Sequence, residues 1–124
     1  MDFIIKDKAV AGSKDAILRN EDVRSVFSAF GDGCLEHYGM DIREKKSIYS
    51  AQVLRQVQSF VSEFGVDDAL SVIGAMFSAS RLGMDNGKPI GASIFSKSHR
   101  WLANQLLTEA YNREKSGRMT WTKL

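Results

Sequence analysis

The start of the last predicted helix combines hydroxyls, cations and an aromatic ring within six residues. Ser96 and Ser98 are candidates to donate hydrogen bonds to phosphate oxygens, and Lys97 and Arg100 are candidates to neutralise the phosphate charge. Trp101 supplies a flat ring of the kind on which nucleic-acid bases stack. These residue types in this order predict a surface that binds phosphates and bases.

Trp101 is predicted to lie on the polar side of its helix. The apolar residues of this helix recur every three or four positions and form one stripe, made of Leu102, Ala103, Leu106, Leu107 and Ala110. At about 100° per residue, Trp101 projects opposite that stripe, beside Asn104. Two interpretations remain open: another part of the fold covers the ring, or the ring contacts a partner.

The C-terminal part of the chain is basic, although the net charge of the 124 residues is only +2. Between Lys97 and Leu124 there are six cations and two carboxylates, so this part carries +4 and the rest carries −2. Unequal charge of this kind favours different partners at the two poles. The candidate binding residues therefore continue beyond the helix start, to Asn104, Arg113, Lys115, Arg118, Trp121 and Lys123.

A glycine-rich segment, GMDNGK at positions 83–88, has some features of a phosphate-binding loop. Its glycine spacing is one residue short, and Pro89 stands where such a loop has a hydroxyl for magnesium. A helix is also predicted before it, where the motif requires a strand. The segment is therefore interpreted as a connection between helices.

Cys34 and His37 have a spacing that a tetrahedral metal site uses. Two further ligands are missing, because the chain has no second cysteine and its other histidine, His99, is predicted to lie over the apolar stripe of the last helix. Nucleophilic catalysis by the thiol would need a nearby base, for which His37 and His99 are the only histidine candidates, and nothing in the local sequence specifically supports it. We therefore expect no metal, no cofactor and no catalytic residue, in a protein that is not an enzyme.

The spacing of apolar residues predicts four main helices. The first begins at the N-cap Asn20 and ends at Gly31, so that Gly31-Asp32-Gly33 becomes a loop. The second runs from about Arg43 to Phe64 and stops at Gly65.

The third helix is predicted to be capped by Asp67 and to be the most buried element. Small residues such as Gly74 line its second side, where a neighbouring backbone is expected to approach closely. The last helix is predicted to start near Ser93 or Ser96 and to end near Gly117.

The two ends of the chain are predicted to pair as a short two-stranded β-ribbon. Residues 1–12 form an N-terminal extended segment, and residues 117–124 form a basic tail in which Met119 and Trp121 alternate with threonines. The length and the 44% hydrophobic content suit a single domain. The predicted fold class is mainly α, a compact bundle of about four main helices spanning 1–124.

A cytoplasmic location is expected from features that the sequence lacks. The single cysteine excludes an internal disulfide, and no apolar run approaches the roughly 20 residues that cross a bilayer. The start of the chain also has no signal-peptide pattern. We expect no association with membranes.

Two classes of function fit these observations. The first is an accessory or regulatory protein that binds nucleic acid through the last helix and the basic tail. The alternative is a helical protein–protein interaction module, acting as an adaptor, an inhibitor or a homodimer, in which Trp101, Ile48 and Tyr49 dock on a larger protein. Binding of phosphates weakens steeply with salt, whereas an aromatic protein interface weakens little.

Overall fold

The computed structural model describes residues 1–5, 10–78, 84–85, 88–89 and 91–122, with the backbone alone for 84–85, 88–89 and 114–122. The described part is an α-helical bundle in which four long helices pack together, as predicted. The helices are α1 (Lys14–Leu18), α2 (Glu21–Tyr38), α3 (Ala51–Phe64), α4 (Val66–Ser78) and α5 (Arg100–Thr122). Three 3-10 turns, Ile42–Glu44, Gly91–Phe95 and Lys97–His99, and a two-residue antiparallel pair, β1 (Met84–Asp85) with β2 (Lys88–Pro89), connect them.

The beginning of α2 and the end of α3 are confirmed as predicted. Asn20 is the N-cap of α2, and its side chain accepts hydrogen bonds from the backbone amides of Asp22 and Val23 at 3.0 and 3.2 Å. Gly65 ends α3 with a φ of 81°, a positive value that glycine adopts without steric cost.

The predicted end of α2 at Gly31 is wrong. The helix continues through both internal glycines to Tyr38, and Gly39, with a φ of 64°, is the residue that stops it. Gly31 and Gly33 are buried where there is no room for a side chain. A Cβ at Gly31 would lie 2.7 Å from Sδ of Met1, and one at Gly33 would lie 2.1 Å from the Phe77 ring. These glycines therefore allow close packing and do not break the helix.

The predicted starts of α3 and α4 also need correction. α3 begins at Ala51 and not near Arg43. The Ser50 hydroxyl accepts a hydrogen bond from the Val53 backbone amide at 3.2 Å and caps the helix there. α4 follows Gly65 directly, so Asp67 lies in its first turn and is not its cap.

α4 contacts both α2 and α5, and α3 packs against α2 and α4. The predicted close approach at Gly74 is not found, since this residue is exposed and a Cβ added there would have no atom within 4 Å. The core instead contains a group of fully buried aromatic rings. Phe95, from the 3-10 turn before α5, makes edge-on contacts with Phe30 at 5.1 Å and Phe60 at 5.4 Å. This ring attaches the segment before α5 to the core.

The predicted β-ribbon between the termini is wrong. Residues 1–5 are not a strand, because Phe3 stacks on Phe27 and Tyr49 while the Met1 ammonium group binds Asp32 at 2.7 Å. α5 starts later than predicted, at Arg100, and its backbone continues past Gly117 to Thr122, where the second strand was expected. Of the described helices, none is long and apolar enough to span a bilayer.

Candidate nucleic-acid interface

Trp101 is the most exposed aromatic side chain of the described residues, with 62% of its surface accessible. It lies in the first turn of α5, and Asn104, Gln105 and Thr108 are exposed on the same side of the helix. The hydroxyl of Thr108 and the amide of Asn104 donate to the backbone of α5, at 2.9 Å each. Within the described residues nothing covers the ring, so the first of the two sequence interpretations is not seen.

Ser96 and Ser98, which are predicted to donate hydrogen bonds to phosphates, belong to a small hydrogen-bonded cluster with His99. The hydroxyls of Ser96 and Ser98 are 2.9 Å apart, and both are in reach of Nδ1 of His99, at 2.9 and 3.2 Å. The 3-10 turn Lys97–His99 brings these side chains together immediately before α5. Each hydroxyl has a single proton, so the cluster as it stands leaves at most one of the two free to donate to an added acceptor.

Arg100 has a different environment from the one predicted for a phosphate contact. Its guanidinium group pairs with Glu63, donates to the carbonyl oxygens of Phe95 at 3.0 Å and Ser96 at 3.3 Å, and lies 5.1 Å from the Phe60 ring centre. The side chain is only 14% exposed. Arg100 therefore fixes the start of α5 to α3, and the exposed cation of this segment is Lys97.

The remaining predicted site residues lie along α5 or beyond it. Arg113 is exposed and pairs with Glu109 one turn earlier, at 2.9 Å. Lys115, Arg118 and Trp121 lie in the part of α5 described by its backbone, and Lys123 lies outside the described residues.

A polar groove between α3 and α5 contains residues that the sequence interpretation missed. The groove, here called the α3–α5 groove, has a volume of about 490 Å³ and is lined by Gln52, Arg55, Gln56, Ser59, Phe95, Lys97 and Arg100. A neighbouring depression shares three of these residues and adds Ser62 and Glu63. The α3 residues recur at helical spacing, so the sequence already places them on one polar face of the helix. Their position opposite Lys97 requires the tertiary structure.

The Cys34 and His37 pair is not arranged as a metal site. The Cys34 side chain is fully buried, and burial raises the pKa of its thiol to about 12, so the thiolate form that binds metals and attacks substrates is disfavoured. His37 stacks on Phe77 at 5.2 Å. Across the described residues, no three histidine, cysteine or carboxylate side chains cluster as a metal would require.

Two residues of the predicted protein-docking surface pack into the bundle. Tyr49 is partly buried, stacks on Phe3 and Phe27, and has the Lys14 ammonium group 4.3 Å above its ring. Ile48 packs against the same core from the turn before α3. Of the three proposed docking residues, Trp101 alone is largely exposed.

No protein-family model matches this chain, and no curated protein or solved structure is detectably similar to it.

Proposed function

We propose that this chain is a small accessory or regulatory protein, without catalytic activity, that binds nucleic acid through the start of α5 and the basic C-terminal segment. The observation that carries the proposal is the exposure of Trp101, at 62%, next to the exposed Lys97. An indole ring left in water on a polar helix face is available for stacking on a base. A lysine and hydroxyls within one turn of the ring provide contacts for the adjoining phosphates.

The charge of the segment supports the same proposal. The residues from Lys97 onward carry +4. Among the described residues Lys97 makes no ion pair, and Arg113 has only an exposed pair with Glu109. Exposed ion pairs of this kind contribute about 0–1 kcal/mol to stability, so Arg113 can leave Glu109 and bind a phosphate at small cost. Arg100 contributes less, because it stays bound to α3 and to two carbonyls.

Binding is tested by fluorescence anisotropy of labelled oligonucleotides, single- and double-stranded, at low and high salt. The wild-type chain is expected to bind with an affinity that falls steeply with salt, because phosphate binding releases counterions. The Trp101→Ala variant is expected to bind more weakly by about 1–3 kcal/mol, the usual contribution of a base stacked on an aromatic side chain.

Tyr38→Ala is the matched control, since Tyr38 is an aromatic residue that is 41% exposed on α2, away from α5. It is expected to bind like the wild type. Absence of wild-type binding to every oligonucleotide at low salt would contradict the proposed function. Equal affinities of the two variants would show that the ring is not the contact.

The alternative function, a protein–protein interaction module, is favoured by one observation. The exposed neighbours of Trp101 on α5 are the uncharged Asn104, Gln105 and Thr108. An aromatic anchor inside a polar rim is typical of protein interfaces. A homodimer of this kind is expected to self-associate in sedimentation experiments at high as well as low salt. Trp101→Ala is expected to abolish that self-association, and oligonucleotides are expected to have no effect on it.

A further inference from the structure

The α3–α5 groove carries more positive than negative charge. Arg55 projects from α3 and Lys97 from the turn before α5, and both side chains are exposed. The carboxylate of Glu63, which lines the adjoining depression, is neutralised by Arg100. The contact between Arg55 and the Gly12 carbonyl is long, at 3.5 Å, and leaves most of its guanidinium donors available. Two cations on opposite walls are therefore left for an anionic ligand.

The same groove offers neutral hydrogen-bonding groups. Gln52, Gln56 and Ser59 occupy successive turns of its α3 wall. In the described part of the chain, their side chains form no hydrogen bond with another protein group. Amides and hydroxyls both donate and accept, which suits the edges of bases and sugar hydroxyls as well as phosphate oxygens.

The shape of the groove favours a single strand over a duplex. Proteins that read the major groove of a duplex, which is about 12 Å wide, insert a protruding helix or ribbon into it. Here the cations and amides instead line a concave space of about 490 Å³, within the usual range for small-ligand sites. A cationic channel beside an aromatic stacking platform is the arrangement with which proteins hold unpaired strands.

We propose that the nucleic acid bound by this protein is single-stranded, and that its backbone lies in the α3–α5 groove against Arg55 and Lys97 while an adjoining base stacks on Trp101. This inference rests on the proposed function and extends its site from α5 to α3. Gln52, Gln56 and Ser59 contact bases or sugars, and Arg100 positions the start of α5 through Glu63.

The test compares Arg55→Gln/Lys97→Gln with the control Lys45→Gln/Lys46→Gln, which removes the same charge from exposed residues outside the groove. Binding of labelled single-stranded DNA and RNA is measured across a salt series. The groove variant is expected to bind about tenfold more weakly near 0.1 M salt, and the slope of log K against log salt is expected to fall by about 1.4, or about 0.7 per lost contact. The control is expected to match the wild type.

A second variant tests the neutral contacts. Gln56→Ala is expected to lower the affinity for a single strand several-fold without changing the salt slope, because no charge is removed. Unlabelled duplex of the same sequence is expected to compete at least tenfold less well than the single strand. Thermal unfolding followed by circular dichroism verifies that each variant is folded.

The outcomes separate the two proposals. No wild-type binding overturns the proposed function and this inference with it. Binding that depends on Trp101 but is equal in the groove and control variants leaves the function standing and overturns the groove as its site. Competition by duplex as effective as by the single strand overturns the assignment of the ligand as single-stranded. Weaker binding of both single-stranded DNA and RNA by the groove variant, with the predicted change in the salt slope, supports the inference.

Discussion

Two helical glycines, one buried in α2 and one exposed on α4, are predicted to respond in opposite ways to the same substitution. A Cβ added at Gly33, within α2, would lie 2.1, 2.4 and 2.5 Å from three carbon atoms of the Phe77 ring, where ordinary contacts begin at 3.4 Å. At Gly74, within α4, a Cβ meets no atom within 4 Å. Both residues have helical backbones, so alanine fits the conformation at each.

The expected change in the free energy of unfolding follows from two opposing effects. Alanine in place of a mid-helix glycine stabilises by about 1 kcal/mol at either position. At Gly33 this gain is opposed by overpacking, which costs about 1–3 kcal/mol. The Phe77 ring cannot move away freely, because it contacts Phe30 at 6.2 Å and His37 at 5.2 Å.

Gly33→Ala is therefore expected to lower the free energy of unfolding by about 1 kcal/mol, and Gly74→Ala to raise it by about 1 kcal/mol. The difference of about 2 kcal/mol contains only the overpacking, because the helix propensities cancel. Urea denaturation followed by circular dichroism measures it, and the melting temperatures should differ by about 8 °C. Equal stabilisation by the two substitutions would refute the close packing of Gly33 on Phe77.

A double-mutant cycle tests the named contact. In a Phe77→Leu background, the cost of Gly33→Ala is expected to shrink, since the smaller side chain leaves room for the methyl group. The Gly74→Ala effect is expected to be the same in both backgrounds. A Gly33→Ala cost that does not change with Phe77→Leu would place the strain elsewhere.

Two further predictions concern the Arg100–Glu63 pair and the buried thiol of Cys34. Arg100→Ala should lower the free energy of unfolding by about 2 kcal/mol, because two carbonyl oxygens lose a charged donor. Glu63→Gln, on the exposed side of the pair, should lower it by less than about 1 kcal/mol. Equal losses in thermal unfolding would contradict this assignment. Cys34 should resist iodoacetamide at pH 8 in the folded chain and react in urea. Because burial raises the pKa of the Cys34 thiol to about 12 from 9.0, the unfolded state ionises first and stability should fall as pH rises above 9. Burial also raises the pKa of Tyr38 and Tyr49 from 10.0, so Cys34→Ala should remove only the part of the decline that begins near pH 9.

The helix positions could be predicted because local signals specify them. The side chain of Asn20 accepts hydrogen bonds from amides two and three residues ahead, and Gly65 takes a positive φ at the end of α3. Both signals are local, so sequence alone indicates them. The apolar stripe that predicts α3 begins at Val53, so it does not specify the first residue of the helix, and the capping hydrogen bond of Ser50 decides that boundary. A periodic pattern identifies the helix better than its first residue.

The internal glycines of α2 show where local reasoning fails. From sequence, Gly31 indicates a stop, because glycine has low helix propensity. Its role depends on Met1 and Ile42, and that of Gly33 depends on Phe77, which is far away along the chain. Such tertiary contacts override propensity and cannot be read from neighbouring residues.

The candidate site was predictable in the same partial way. Helical geometry alone places Trp101 on the polar face of its helix, and the structure has it there, 62% exposed. The engagement of Arg100 by Glu63 and the position of Arg55 across from Lys97 depend on how α3 and α5 pack. Individual side chains were therefore identified from sequence, while the groove that joins them was not.

The most direct test of the central claim is the fluorescence of Trp101 in a Trp121→Phe variant, which has no other tryptophan. In the free protein its emission should be red-shifted, as for a ring in water. Addition of a short single-stranded oligonucleotide at low salt should quench or shift that emission, and high salt should reverse the change. Red-shifted emission that is unaffected by every oligonucleotide at low salt would contradict the claim that Trp101 is a nucleic-acid contact.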